Sequence, residues 1–238
     1  MKLSLLIPVY NEEDILSSTI AEIRDYMKKT FVSEYEVIFI NDGSSDRSEE
    51  ILSSLCKEEI RFISYKENKG KGYAIRQGAL AAEGDVVLFT DCDLAYGTDV
   101  IKAFYDVLSA EDAPDIAVGS RTKHKDGYAS YSLKRKIVSR AYLVVLRVFG
   151  GLPLSDSQCG CKGFRLEAAR RIFKNAEIDR FAFDFEAILL GLHFGMSFKE
   201  IPVAVERHGK SSVRVLRDTF RMLGDLRRMK KRIKRIPK

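Results

Sequence analysis

Through its first 120 residues the chain alternates short apolar runs with amphipathic stretches, and this alternation restricts the possible fold more than any other feature. The runs LSLLIPV (3–9), YEVIFIND (35–42), RFISYKE (61–67), DVVLFTD (85–91) and DIAVGS (115–120) read as strands. Between them lie helical patterns at 11–29, 44–57, 70–82 and near 98–109. Near-continuous apolar strands that alternate with helices form a parallel sheet covered on both faces, with right-handed crossovers. The predicted class is therefore α/β, a Rossmann-like and mostly parallel sheet flanked by helices. In such sheets ligands bind beyond the carboxyl ends of the strands. That rule gathers residues 8–12, 41–45, 91–93 and 119–121 on one rim.

After residue 121 the pattern changes. KHKDGYASYS (123–132) reads as a loop, and 132–150 carries a broad apolar helical stripe flanked by Lys134, Arg135, Lys136, Arg140 and Arg147. GLPLSDSQCGCKGFR (151–165) reads as a loop leading into a short strand, with a helix near 183–195 and a late strand at 198–206. From Val213 onward apolar residues recur at helical spacing and the opposite face is almost entirely basic. The expected organisation is one domain over 1–212 followed by a basic amphipathic helix over 213–238.

Charge follows the same division. The chain carries 40 Lys and Arg against 34 Asp and Glu, a net of +6. From Arg207 to the end there are 13 basic residues and two acidic ones, while residues 1–206 hold 27 basic against 32 acidic, a net of −5. Basic tails meet nucleic acid, anionic membrane or acidic partners. No apolar run approaches the roughly 18 residues that span a bilayer, and the opening MKLSLLIPVY reads as a buried strand and not as a signal peptide. The four cysteines have no zinc-like pairing. Reduced thiols in the cytoplasm are the expectation, with Cys92, Cys159 and Cys161 packed in the interior.

Several rim residues have chemistry to offer. Asp91 and Asp93 end the fourth strand in TDCD, where two carboxylates one residue apart can approach one hard cation, Mg²⁺ or Mn²⁺. In NDGSSD (41–46), Asp42 is placed to accept hydrogen bonds from a base or ribose, Gly43 allows a tight turn, and Ser44 or Asp46 can cap the next helix. Asn11 and Glu12 end the first strand as caps or nucleotide contacts. NKGKG (68–72) lacks the P-loop ending, yet Lys69 or Lys71 can reach a diphosphate.

Taken together and in order, IPVYNEE, NDGSSD, NKGKG, TDCD, GSR and DSQCGCKGF resemble glycosyltransferase family 2, and within it the branch that moves a sugar onto dolichyl or other polyprenyl phosphate. NKGKG with SDSQCGCKGF is more similar to the glucosyl than to the mannosyl enzymes of that branch. The resemblance implies a GT-A fold and a nucleotide-sugar donor, UDP-glucose or GDP-mannose. It implies that Pro8, Tyr10, Asn11, Glu12 and Asp42 hold the nucleotide and that Asp91 and Asp93 hold the metal on its diphosphate. It assigns the acceptor phosphate to Arg121, Arg135, Ser139 and Arg207. The mannosyl branch has a further metal-binding glutamine where this chain has Ala95, a departure that argues against a mannosyl enzyme.

Physical chemistry points the same way. Joining a lipid phosphate to a sugar brings two anionic groups around one anomeric carbon, which needs a divalent cation on one side and arginines on the other. A phosphate oxygen is anionic already, so an in-line displacement with inversion needs no strong general base. Asp156 is placed to orient the acceptor or the sugar, and Gln158 to reach a sugar hydroxyl. If the acceptor is instead a saccharide or protein, a base carboxylate is required, and Asp156 or Asp184 would serve. The basic tail and the 132–150 helix then suit peripheral docking of a cytoplasmic enzyme on an anionic membrane surface, with a membrane-protein partner or a second copy of the chain as the other occupants. Nucleic acid is excluded: it would leave TDCD and NDGSSD without a role, and the tail offers only Phe220 to stack on bases.

Overall fold

The structure is a computed structural model that describes residues 1–31, 34–129, 152–180, 182–207 and 228–237. The predicted helix at 132–150 and most of the tail, from 213 to 227, lie outside the described residues. In chain order the elements are β1 (Leu3–Val9), α1 (Glu13–Thr30), β2 (Tyr35–Asp42), α2 (Ser48–Leu55), β3 (Ile60–Tyr65), α3 (Lys71–Ala81), β4 (Val86–Phe89), α4 (Asp99–Ser109), β5 (Ile116–Ser120), β6 (Lys162–Arg165), α5 (Leu166–Asn175), α6 (Phe183–His193) and β7 (Phe198–Pro202). The strands form one seven-stranded sheet in the order β3-β2-β1-β4-β6-β5-β7. All pairings are parallel except those of β6, which runs antiparallel to both β4 and β5.

Side chains alternate between two cores, as the two-residue period of a strand requires. Leu6, Ile38, Ile40, Val87, Phe89, Val118 and Phe164 pack with α3, α5 and α6. Leu5, Ile7, Val37, Phe39, Val86, Leu88 and Ala117 pack on the other face with α1, α2 and α4. The mostly parallel, doubly covered sheet is thus as predicted. The sequence pattern assigns no element to residues 166–175, where the structure has the amphipathic helix α5. It follows β6 with no intervening turn and no side-chain cap, so nothing local marks its start.

The described end of the tail packs on the domain. Residues 228–233 are helical, and Met229 and Ile233 are buried in the same core as α5 and α6, with Ile236 packed against it. Arg232 reaches the carbonyl of Asn175 at 2.8 Å, forms an ion pair with Glu177 at 3.0 Å, and pairs with the fully buried Glu186. His193 Nε2 lies 2.8 Å from the Ile236 carbonyl. Over this stretch the apolar stripe belongs to the protein's own core, and Arg228, Lys231, Lys234 and Arg235 remain exposed.

Removing one partner of a buried pair is costly because it strands the other charge. Arg232→Met is expected to lower stability in urea denaturation by about 3 kcal/mol. Lys231→Met, on the exposed side of the same helix, should change it by less than about 0.5 kcal/mol.

Candidate active site

The strand order reverses between β1 and β4, the place where open α/β sheets bind ligands. The loops after these two strands carry the residues singled out in the sequence. Pro8 lies past the β1–β4 ladder, which ends at Leu6, and Tyr10 is half exposed just beyond the strand. Asn11 adopts a left-handed backbone (φ 56°), a conformation its short polar side chain tolerates. Its amide donates to Ser44 Oγ at 3.0 Å, and its Oδ1 accepts from the Ser45 amide at 2.8 Å. The amide of Glu12 donates to Ser48 Oγ and that of Glu13 to Asp46, both at 3.0 Å. Asn11 and Asp46 therefore fasten the loop after β1 to the loop after β2.

Asp42 organises the next loop in the same manner. Its buried carboxylate accepts from Asn68 Nδ2 (2.9 Å) and from the amides of Lys69 (2.9 Å) and Gly70 (2.8 Å). Gly43 lies directly against this loop: φ is +65°, and a Cβ here would meet the Asn68 nitrogen at 2.6 Å. The turn thus accepts only glycine without distortion. This contact fixes the start of α3, so Lys71 projects toward β4, where its ammonium forms an ion pair with Asp91.

Asp91 and Asp93 act on that ammonium, and Glu12 feels the charge of both aspartates. Burial, then the charge of Asp91, pushes the Asp93 carboxyl above its ordinary value. Burial, then Asp93 and Asp91, does the same to Glu12. Burial opposes the charge on Lys71, but Asp91, Asp184 and Asp93 outweigh it and raise its pKa. Like charges held together in this way call for a cation, and the Lys71 ammonium already stands against one of them. Two hard carboxylate donors at a strand end fit Mg²⁺ or Mn²⁺. Among the described residues no three His, Cys, Asp or Glu side chains converge on one point. Asp91 is closely backed by Gly160, where a Cβ would come within 2.2 Å of its Oδ2.

The second half of the site comes from β5 and the loop before β6. Arg121 holds Asp156 through Nε at 2.7 Å, Nη2 at 2.8 Å and its own amide at 3.1 Å. The Gln158 amide adds a fourth bond at 3.2 Å. Asp156 is fully buried. Burial alone would raise its pKa, yet Arg121 holds the carboxyl below the usual aspartate range. Asp156 is thus a counter-ion to Arg121, with its oxygens occupied. Gln158 keeps a buried Nε2 without a hydrogen-bond partner. Glu200 of β7 supports this loop from below, accepting from Ser155 Oγ at 2.6 Å and from its amide at 2.8 Å.

The structure does not bring all four predicted acceptor-phosphate residues together. Arg135 and Ser139 lie outside the described residues. Arg207 makes a bidentate pair with Glu22 of α1, both bonds at 2.8 Å, and its amide donates to the Ala95 carbonyl at 3.2 Å. It is thereby tied to the turn after Asp93, whose Oδ1 accepts from the Ala95 amide at 3.1 Å. Ala95, the departure from the mannosyl pattern, serves through its backbone.

Two residues of the site were not singled out by sequence reasoning. Tyr96 is buried beside Asp91 and Arg121, and its hydroxyl accepts from the Gly160 amide at 3.0 Å; nothing in the sequence marks it. Lys162 is fully buried on β6 and pairs with Asp184 at 2.7 Å. A lysine opening the short strand after CGC was the available signal. Asp184, read as a candidate base, is occupied by this pairing.

The comparisons with known proteins bear on this site. The profile described as Glycosyl transferase family 2 matches residues 4–173. The dolichyl-phosphate beta-glucosyltransferase of Saccharomyces cerevisiae is 27% identical, over 94% of this chain and 72% of the yeast protein. The Drosophila melanogaster protein of the same name is 32% identical, over 85% of this chain and 66% of its own length. The chain therefore spans roughly two thirds to three quarters of these relatives. Among solved structures, glucosyl-3-phosphoglycerate synthase from Mycobacterium tuberculosis, in complex with Mn²⁺, UDP-glucose and phosphoglyceric acid, superposes with a TM-score of 0.68 at 19% identity, covering all of this chain and 81% of that one. The architecture is the GT-A fold.

The Arg121–Asp156 pair has a pH signature. A depressed aspartate pKa gives stability that is fully present above about pH 4, the unfolded value, and is lost as pH falls through the lower folded value. Asp156→Asn should cost about 3 kcal/mol at pH 7. The gap from wild type, measured by urea denaturation, should narrow below about pH 4.

Proposed function

The chain belongs to glycosyltransferase family 2, and we propose that it transfers glucose from UDP-glucose to dolichyl or another polyprenyl phosphate, with inversion at the anomeric carbon. One observation carries the choice of acceptor class. Asp156 and Asp184, the carboxylates that would act as base toward a hydroxyl acceptor, are both ion-paired, to Arg121 and Lys162. With these two carboxylates committed to cations, an acceptor that is anionic before it reacts suits the site better than a hydroxyl that must lose a proton. The names of the relatives support the same acceptor and sugar, and Ala95 in place of the mannosyl branch's glutamine favours glucose.

In this reading an oxygen of the lipid phosphate attacks the anomeric carbon. The bond from that carbon to the donor's diphosphate oxygen breaks, and UDP leaves with the bonding pair. Asp91 and Asp93 would hold Mg²⁺ or Mn²⁺, which neutralises charge on the leaving diphosphate when bound. Lys71 adds a second positive charge on that side. Pro8, Tyr10, Asn11, Glu12 and Asp42 shape the nucleotide site: Asn11 and Asp42 do so by ordering loops, while exposed Tyr10 offers its ring to the base. Arg121, kept charged and oriented by Asp156, borders the acceptor side with Arg207, and Arg135 and Ser139 complete the proposed phosphate contacts. Gln158, with its unpartnered Nε2, is assigned to a sugar hydroxyl.

Membrane docking through the described end of the tail is electrostatic. Among the described residues no helix is long and apolar enough to cross a membrane. From 228 to 236 the apolar side faces the core, so among the described residues of the tail it is Arg228, Lys231, Lys234 and Arg235 that are exposed to attract an anionic surface, at about 1 kcal/mol per engaged residue.

Three measurements test the proposal. A donor panel of UDP-glucose, GDP-mannose and UDP-N-acetylglucosamine with a short polyprenyl phosphate should give product with UDP-glucose alone; transfer only to free sugars would overturn the acceptor assignment. Asp93→Asn should reduce turnover at least a hundredfold and weaken Mn²⁺ binding without lowering the melting temperature. Replacing Lys231, Lys234 and Arg235 with glutamate should abolish salt-sensitive co-sedimentation with anionic liposomes while transfer to a detergent-solubilised acceptor persists.

A further inference from the structure

Gly160 is a glycine for a reason other than backbone freedom. Its φ is not positive, unlike that of Gly43, Gly70, Gly97 and Gly195, so the backbone there accepts an L side chain. What excludes one is a carboxylate. A Cβ at this position would stand 2.2 Å from Asp91 Oδ2 and 3.2 Å from its Cγ, and the next nearest atom, Tyr96 Cε2, would be at an ordinary 3.6 Å. The bare Cα of Gly160 is therefore the surface on which one side of the Asp91 carboxylate rests. The other oxygen, Oδ1, pairs with the Lys71 ammonium, and 35% of the Asp91 side chain stays exposed.

The chain on both sides of this glycine is fastened. Its amide donates to the Tyr96 hydroxyl at 3.0 Å. The Cys159 carbonyl accepts from Lys162 Nζ at 2.7 Å, and the Cys161 carbonyl from the Gly119 amide at 3.0 Å. A loop held at three successive residues has little room to retreat, so an added Cβ would displace the Asp91 carboxylate instead. Tyr96 belongs to the turn that follows β4. In that turn the Leu94 amide donates to the Asp91 carbonyl at 3.1 Å, and the Gly97 amide to the Leu94 carbonyl at 2.8 Å. The turn that presents Asp91 and Asp93 thus also presents the hydroxyl that draws the 155–161 loop against Asp91.

Packing alone does not call for glycine here. The end of a side chain can turn away from a new methyl group when nothing depends on its position. Glycine is required only if the carboxylate must stay where it is. A metal ligand is such a group, because the contacts behind it set its orientation and the affinity of the site. We propose that Gly160 and Tyr96 are positioning residues for the divalent cation: Gly160 sets the Asp91 carboxylate from behind, and the Tyr96 hydroxyl holds Gly160 there. The proposal rests on the metal reading above. Neither residue is a ligand; both act through Asp91. The cation site is then built in part by the loop of Asp156 and Gln158, so the donor and acceptor halves share one backbone segment.

Calorimetry of Mn²⁺ binding in the presence of UDP tests this, on wild type, Gly160→Ala, Tyr96→Phe and the double variant. Gly160→Ala should melt near the wild-type temperature, because the backbone accepts alanine and only a carboxylate moves. It should bind Mn²⁺ about tenfold more weakly, the loss expected of a contact that orients a ligand. Its turnover should recover as the Mn²⁺ concentration is raised. Tyr96→Phe keeps the ring, loses only the hydroxyl, and should also weaken Mn²⁺ binding. Residues in one chain of contacts are not additive, so the double variant should lose less than the product of the two single losses. UDP affinity measured without a divalent cation should stay at the wild-type level throughout; an equal loss there would mark a general disturbance of the site and refute the positioning role. Wild-type Mn²⁺ affinity in either folded single variant, or losses that multiply in the double, would overturn it as well. Should Gly160→Ala fail to fold, Tyr96→Phe carries the test by the same two measurements. Wild type that binds UDP but no divalent cation would instead overturn the metal reading on which the proposal stands.

Discussion

Carboxylates gathered at one end of a sheet repel one another, and each added one makes the others harder to keep ionised. The site is arranged around that constraint. Glu12, Asp91 and Asp93 follow the ends of β1 and β4 and feel one another's charge, and Asp156 and Asp184 lie buried nearby. Three cations answer three of these five: Lys71 against Asp91, Lys162 against Asp184, and Arg121 against Asp156. Each cation comes from a different element, α3, β6 and the end of β5. The charge balance therefore exists only when all of these elements are packed together, and the fold and the electrostatics of the site depend on each other.

The antiparallel strand makes this packing possible. Parallel strands deliver their trailing loops to one edge of the sheet. A strand of opposite direction delivers its leading loop there. Because β6 runs against β4 and β5, residues 155–161 arrive at the same rim as residues 10–12, 91–93 and 121. Asp156 can then meet Arg121, and Gly160 can lie against Asp91. Had β6 been parallel, this loop would have opened on the far side of the sheet. β6 also places Lys162, its first residue, at the rim end of the strand, within reach of Asp184 in the first turn of α6.

This explains how much was legible in advance. The rim residues after β1, β2, β4 and β5 could be read because strand period and parallel topology are local, repeated patterns. The direction of β6 could not, since four residues, KGFR, carry no directional signal. The partners of Arg121 and Asp156 were also hidden: both were recognised, one as a phosphate contact and one as a group that orients substrate, but 35 positions separate them and their mutual pairing is a tertiary fact. Asn11 and Asp42 show a related limit. Read as nucleotide contacts, they hold loops through backbone amides, because a short polar side chain after a strand serves turn geometry as readily as a ligand. Residues 228–233 are helical, but helical spacing does not say whether an apolar stripe meets lipid or its own core.

The opposed charges of body and tail take on a different meaning in this light. An acidic body of −5 and a basic segment of +11 suggest one attractive partner outside the protein. Part of that attraction is internal. Arg207 is matched by Glu22, and Arg232 by Glu177 and the buried Glu186. Arg232 has a counter-charge because Glu186 is carried by α6, the helix whose first turn also supplies Asp184. The tail is thus fastened to the outward end of the same helix turn that serves the site inside. Among the described residues of the tail, Arg228, Lys231, Lys234 and Arg235 face solvent on a helix anchored by Met229 and Ile233. That anchoring joins the charge of the tail's end to the core through α6, the helix that also carries Asp184.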